Sequence, residues 1–62
     1  MADKYQQLVD FVNSLEPDFK KFYEKEQSAA GTRVRKGMSE LKHMAQDIRN
    51  DVQEIKNKRK ED

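Results

Sequence analysis

Sixty-two residues, with 13 basic and 12 acidic side chains, 34% apolar and 40% charged, make one domain at most. A chain this short normally needs a staple or a partner beside its own small core. Cysteine is absent, which excludes a disulfide framework and a thiolate metal site. With no secretory signal and no long apolar run, the expected compartment is the cytoplasm and no membrane partner is expected. A disordered chain has similar overall numbers, so the order of residues decides.

In the first half, Tyr5, Leu8, Val12, Leu15, Phe19 and Phe22 are spaced alternately three and four apart, which puts them on one stripe of a helix. Val9, Phe11 and Tyr23 widen that stripe on both flanks. Asp3 is placed to cap the helix start. Pro17 lies inside the run, where it removes a backbone donor and crowds the preceding turn. Because the apolar spacing keeps phase across it, a kinked continuous helix is expected, with a restart capped by Ser14 as the alternative.

A second helix is expected to open near Ser28, a good N-cap residue. Its apolar run is Val34, Met38, Leu41, Ala45, Ile48, Val52 and Ile55, again in heptad spacing. Gly31 and Gly37 then lie within its first turns. Each costs about 1 kcal/mol against alanine, which points to a close approach of another helix. The alternative is that Gly31 ends the first helix and Thr32 caps the second. No strand-like alternation occurs in either half.

The fold class is therefore all-α: an antiparallel two-helix hairpin of about 3–26 and 28–58 within a single domain 1–62, with a charged, frayed terminus at 57–62. In such a hairpin Phe22 meets Ala30 and Val34, Leu15 meets Met38 and Leu41, and Leu8 meets Ala45. The first helix runs out at Tyr5, opposite Ile48. Val52 and Ile55 are left uncovered, and with Phe11, Val9 and Tyr23 they form too much apolar surface for a soluble monomer. A homodimer, as a helical bundle or coiled coil, is the expected remedy.

Charge is unevenly spread. Residues 1–17 carry one basic and three acidic side chains, 18–44 seven basic and four acidic, and 45–62 five of each. Arg35, Lys42, Arg49 and Lys56 recur every seven residues beside the apolar stripe, with Glu40, Asp47, Glu54 and Glu61 on the far side. Such a basic row often serves only to pair with acids of the neighbouring helix, here Glu16 and Asp18. Arg33, Arg35 and Lys36 resist that explanation. They crowd the first turns of the second helix, where the macrodipole disfavours cations by about 0.3–1 kcal/mol each. Three cations around free backbone donors suit a bound anion. Ser28 and Thr32 add hydroxyls, and the hairpin brings Lys20, Lys21 and Lys25 to the same tip. The candidate phosphate contacts are these eight residues with Lys42 and Arg49.

Other residue types carry no chemistry. Lys56, Lys58, Arg59 and Lys60 suit a dipole-friendly helix end. His43 stands on the polar face with no second histidine or any cysteine, and Asp47 with Asp51 makes no calcium cage. No nucleophile, base and orienting group converge, and no phosphate loop or metal spacing appears. No enzyme activity, cofactor, metal or small-molecule substrate is expected.

The stretch Ala29-Ala30-Gly31-Thr32-Arg33-Val34-Arg35-Lys36, followed by Glu40-Leu41-Lys42 and Ile48-Arg49, resembles the bacterial linker-histone-like family best known from chlamydiae. The resemblance implies a nucleoid-associated protein that binds and compacts double-stranded DNA with little sequence preference. By the same resemblance Arg33 and Arg35 match the signature arginines and Lys36 follows them. Chlamydial members carry a long Lys- and Ala-rich tail, which this sequence matches only in Lys56 to Lys60. Self-association is then expected to supply avidity. The competing expectation is a helical protein–protein interaction module with no nucleic-acid role. A variant of the DNA reading has Thr32, Lys36, Ser39, His43, Gln46 and Asn50 reading base edges.

Overall fold

The computed structural model describes residues 3–59, and every element among them is helical: α1 (Lys4–Ser14), α2 (Glu16–Lys25) and α3 (Ser28–Arg59). Asp3 caps α1 as its residue type suggests, its Oδ1 accepting from the Gln6 amide at 2.8 Å. Of the segment 57–62 expected to fray, 57–59 belong to α3, and 60–62 lie outside the described residues.

The first arm is two helices rather than one kinked helix. The interruption is a single residue, Leu15, at φ −86° and ψ −13°. Its amide donates to the Val12 carbonyl at 3.1 Å, a tightened three-residue turn. Pro17 causes this: inside a continuous helix it would leave a carbonyl without its donor and clash with the turn before it. As the second residue of α2, it sits where no donor is required. Ser14 does not cap the restart; its hydroxyl donates to the Phe11 carbonyl at 2.6 Å. Because Leu15 stays in the right-handed region, the apolar phase survives.

Glu26 ends α2 in the left-handed region at φ 53° and ψ 36°. The Gln27 amide reaches back to the Lys21 carbonyl at 3.1 Å, the bond that closes many helix ends around a glycine. Here glutamate occupies the glycine position, at a cost of about 1 kcal/mol. The Gly31 amide then donates to the Gln27 carbonyl at 3.4 Å, so α3 opens at Ser28. Gly31 and Gly37 are both internal to it, and Thr32 caps nothing.

Contacts between the two arms run in opposite sequence order: Phe22 against Gly31, Arg33 with Asp18, Leu15 against Gly37, Lys4 with Asp51. A Cβ at Gly37 would stand 2.6 Å from a Leu15 methyl, and one at Gly31 would stand 2.7 Å from the Phe22 ring. Both glycines therefore permit the close approach that their helix-weakening cost suggests.

The seam keeps Val34, Leu41 and Ile48 of the expected stripe but takes Gly37, Met44 and Asp51 in place of Met38, Ala45 and Val52. In α3 the covered or half-covered positions include Ala30, Val34, Gly37, Leu41, Met44, Ile48 and Asp51. Leu15 seats on Gly37, not on Met38, and Met38 and Ala45 turn out to solvent. The glycine backbone explains this, since α1 and α2 settle where no side chain holds them off. Lys4 reaches Asp51, so the first arm extends past Ile48, while Val52 and Ile55 remain 52% and 44% exposed.

Among the described residues only Leu15 and Ala30 form a buried apolar core. Burying a leucine contributes about 2 kcal/mol, against an ordering cost of about 1–2 kcal/mol for every backbone residue fixed. The result is a flat rod of 50 × 22 × 13 Å. Its length is that of the 32 residues of α3, about 48 Å at 1.5 Å per residue.

Candidate functional site

The turn end of the rod gathers cations on both arms. Lys20, Lys21 and Lys25 are exposed on α2, with Lys25 in its last turn. That placement suits the negative end of the helix dipole. The first turn of α2 carries Glu16 and Asp18, equally well matched to its positive end. The first turn of α3 carries no acid, and Arg33, Arg35 and Lys36 follow in its second and third turns. α2 thus opens on acids, whereas α3 opens on uncharged residues with its cations beyond the first turn.

The three cations of α3 separate in the structure. Arg33 turns toward α2, its Nε donating to Asp18 Oδ1 at 2.8 Å, with the Asp18 side chain only 23% exposed. This pair ties the two arms together two residues from the turn-end glycine, Gly31. Arg35 and Lys36 are exposed and make no ion pair among the described residues. Arg35 lines an open groove with Phe22, Tyr23, Ser28, Thr32 and Val34, so Ser28 and Thr32 share its surroundings.

Lys42 and Arg49 continue the row of Arg35 at intervals of about 10.5 Å along α3, and both are exposed without an ion pair among the described residues. The pairing with Glu16 or Asp18 that would have made this row purely structural does not occur. Asp18 goes to Arg33 instead. Lys56 is half-covered beside Arg49 and Val52 in a second groove.

At the opposite end Lys4 bonds to Asp51. That hydrogen bond, and then the charges of Asp51 and Asp47, hold the lysine above its ordinary value of 10.5. Lys58 pairs with Glu54 at 3.3 Å within α3. Two pairs between the arms, Arg33–Asp18 and Lys4–Asp51, were not read from the sequence. The glycine register would have revealed them, because seating Leu15 on Gly37 aligns 18 with 33 and brings 4 toward 51.

The residues nominated for self-association fall in different places. Tyr23, Val52 and Ile55 are exposed, while Val9 and Phe11 are half-covered. Tyr23 stacks its edge on Phe22 at 5.0 Å between ring centres. No group of three or more possible metal ligands occurs among the described residues, and none of their helices is long and apolar enough to cross a membrane.

The class these observations define is an all-helical rod carrying a row of unpaired cations on its long helix. The chain belongs to the histone H1-like protein Hc1 family, whose model matches residues 2–58. That is a histone-like, DNA-binding class rather than a catalytic one. No curated protein and no solved structure matches the chain.

Proposed function

We propose that the chain is a nucleoid-associated, histone-like protein. It works as an antiparallel helical hairpin that binds double-stranded DNA through phosphates, with little sequence preference. The observation that carries this is the unpaired set Arg35, Lys36, Lys42 and Arg49, together with Lys20, Lys21 and Lys25 at the turn end. Cations gathered on one surface and left without acids repel one another, and they form the electrostatic footprint that a phosphate would meet. Ser28 and Thr32 add hydroxyl donors beside Arg35. Arg33, already bonded to Asp18, contributes first by holding the tip in register. Its remaining guanidinium donors are available to a phosphate second.

Phosphate contacts carry no sequence information, so neither unrelated duplexes nor base composition should matter much. Among the described residues seven large apolar side chains are exposed, and self-association through them would give two cation sets in one particle and the avidity to bridge or compact DNA. The test is a gel shift on two unrelated duplexes of equal length. Arg33→Ala with Arg35→Ala should weaken binding to both by the same factor. Parental affinity in that variant at moderate salt would remove the tip from the site.

The exposed Val52 and Ile55 favour one other reading, a module that pairs with helices of another protein. It is distinguished by an absence of any duplex shift at low salt together with capture of a helical partner.

A further inference from the structure

Grooves on the rod differ in what lines them. The crevice of Lys4, Gln7, Met44 and Asp47 holds about 80 Å³, and its lysine is already bonded to Asp51. The groove beside Arg49, Val52 and Lys56 is a depression of α3 alone, without an aromatic ring. The groove at the turn end lies between α2 and α3 and holds about 340 Å³, within the ~300–1,000 Å³ of small-ligand sites. Phe22, Tyr23 and Val34 form its apolar wall and Ser28, Thr32 and Arg35 its polar wall, and no acid lines it. Tyr23 is its unusual member. The ring centre lies 5.0 Å from that of Phe22 and 6.2 Å from that of Phe19, yet the residue is 70% exposed. A ring held in place by two others loses little freedom when a ligand arrives. Beside it Arg35 is exposed and makes no ion pair among the described residues. A flat π-bearing group joined to an anion would satisfy both walls at once.

We infer that this groove takes an unpaired nucleotide of a nucleic-acid strand. Its base stacks on Tyr23 against Phe22 and Val34, and its phosphate meets Arg35, Ser28 and Thr32. The inference rests on the phosphate binding proposed above and adds to it a contact that only an unpaired base can make. In a duplex the faces of each base are covered by its neighbours in the stack. Every base has a π-face, so stacking leaves the low sequence preference intact. An apolar helix, from a second copy or another protein, is the poorer occupant. It would cover Arg35 and two hydroxyls without giving them partners.

Tyr5→Phe leaves Tyr23 as the only tyrosine of a chain without tryptophan, so tyrosine emission then reports on the groove. An oligothymidylate of about 15 nucleotides, within the span of single-strand sites, should quench that emission. A mixed-sequence duplex of equal length should shift in a gel without quenching it. Tyr23→Leu keeps the apolar bulk and removes the π-face. It should bind the oligothymidylate about tenfold more weakly and the duplex as the parent does, while Tyr23→Phe restores single-strand affinity. Should Tyr23→Leu lose its helicity, the quenching in Tyr5→Phe decides. No quenching by the oligothymidylate, or equal weakening of strand and duplex by Tyr23→Leu, overturns the inference. So does equal quenching by thymidine monophosphate at the same concentration, which gives the groove to a free nucleotide. Emission that falls with protein concentration instead of added strand gives it to a second copy and also overturns it. A chain that shifts duplexes while its tyrosine ignores the strand sinks this inference alone. A chain quenched by the strand that shifts no duplex sinks the duplex reading alone.

Discussion

The two ends of the rod are built differently. At the turn end, Phe22 and Leu15 sit on Gly31 and Gly37 at distances that allow no Cβ, Ala30 is fully buried, and Arg33 bonds across to Asp18. At the far end Leu8 and Ile48 are half-covered, Val52 and Ile55 are exposed, and an exposed ion pair is the fastening. Small residues let helices close without a large core; where α3 lacks them, the arms meet loosely. The tight end is also the cationic end, so the rigid part of the molecule holds the side chains proposed to meet phosphate. The loose end is left with exposed apolar surface.

The largest break in that contrast is Gly37→Leu, which has no room beside Leu15. Even with the helix propensity gained, overpacking should cost about 2 kcal/mol, roughly 8–16 °C in melting temperature for a domain this small. Thermal circular dichroism reads it. Ile48→Ala at the loose end should cost about half as much, and equal losses would erase the distinction between the ends.

Smaller in stability but decisive for the tip is Arg35→Gln with Lys36→Gln. Neither side chain has an ion-pair partner, so the melt should hardly move while the duplex gel shift weakens at every salt concentration. Arg33→Gln should do the reverse, lowering the melting temperature through the lost Asp18 bond with a lesser effect on binding.

Glu26→Gly relieves a left-handed glutamate and should raise stability by about 0.5–1 kcal/mol. The gain appears as an upward shift in the same melts, and no change would mean that the turn relaxes elsewhere.

The smallest effect concerns Lys4. Its folded value is raised by Asp51, so its contribution is complete below the ordinary lysine range and is lost as pH rises through the raised value. The parent should keep its margin over Lys4→Gln in melts at pH 9 and lose it only once pH has risen past the ordinary lysine value of 10.5.

Much of this was legible in the chain. Heptad spacing gave the helices, the cost of Gly31 and Gly37 inside a helix announced the close approach, and Asp3 announced its cap. The shift of alternate seam positions from Met38, Ala45 and Val52 to Gly37, Met44 and Asp51 was not legible, because period counting weighs Met38 as apolar and cannot weigh Gly37 as a seat. Nor was Glu26 in the left-handed region, since its neighbours offer no glycine or asparagine to mark the turn. At the site, the crowding of Arg35 and Lys36 toward the start of the long helix was readable from sequence. That Arg33 is spent on Asp18 followed only from the register.

The most direct test is the slope of log affinity against log salt on a mixed-sequence duplex. Each lost phosphate contact should flatten it by about 0.9. Arg35→Gln with Lys36→Gln should therefore flatten the slope by about 1.8 relative to the parent, and Arg33→Gln by less than one contact. A parent with no slope, or a double variant whose slope equals the parent's, would contradict phosphate binding at the turn end.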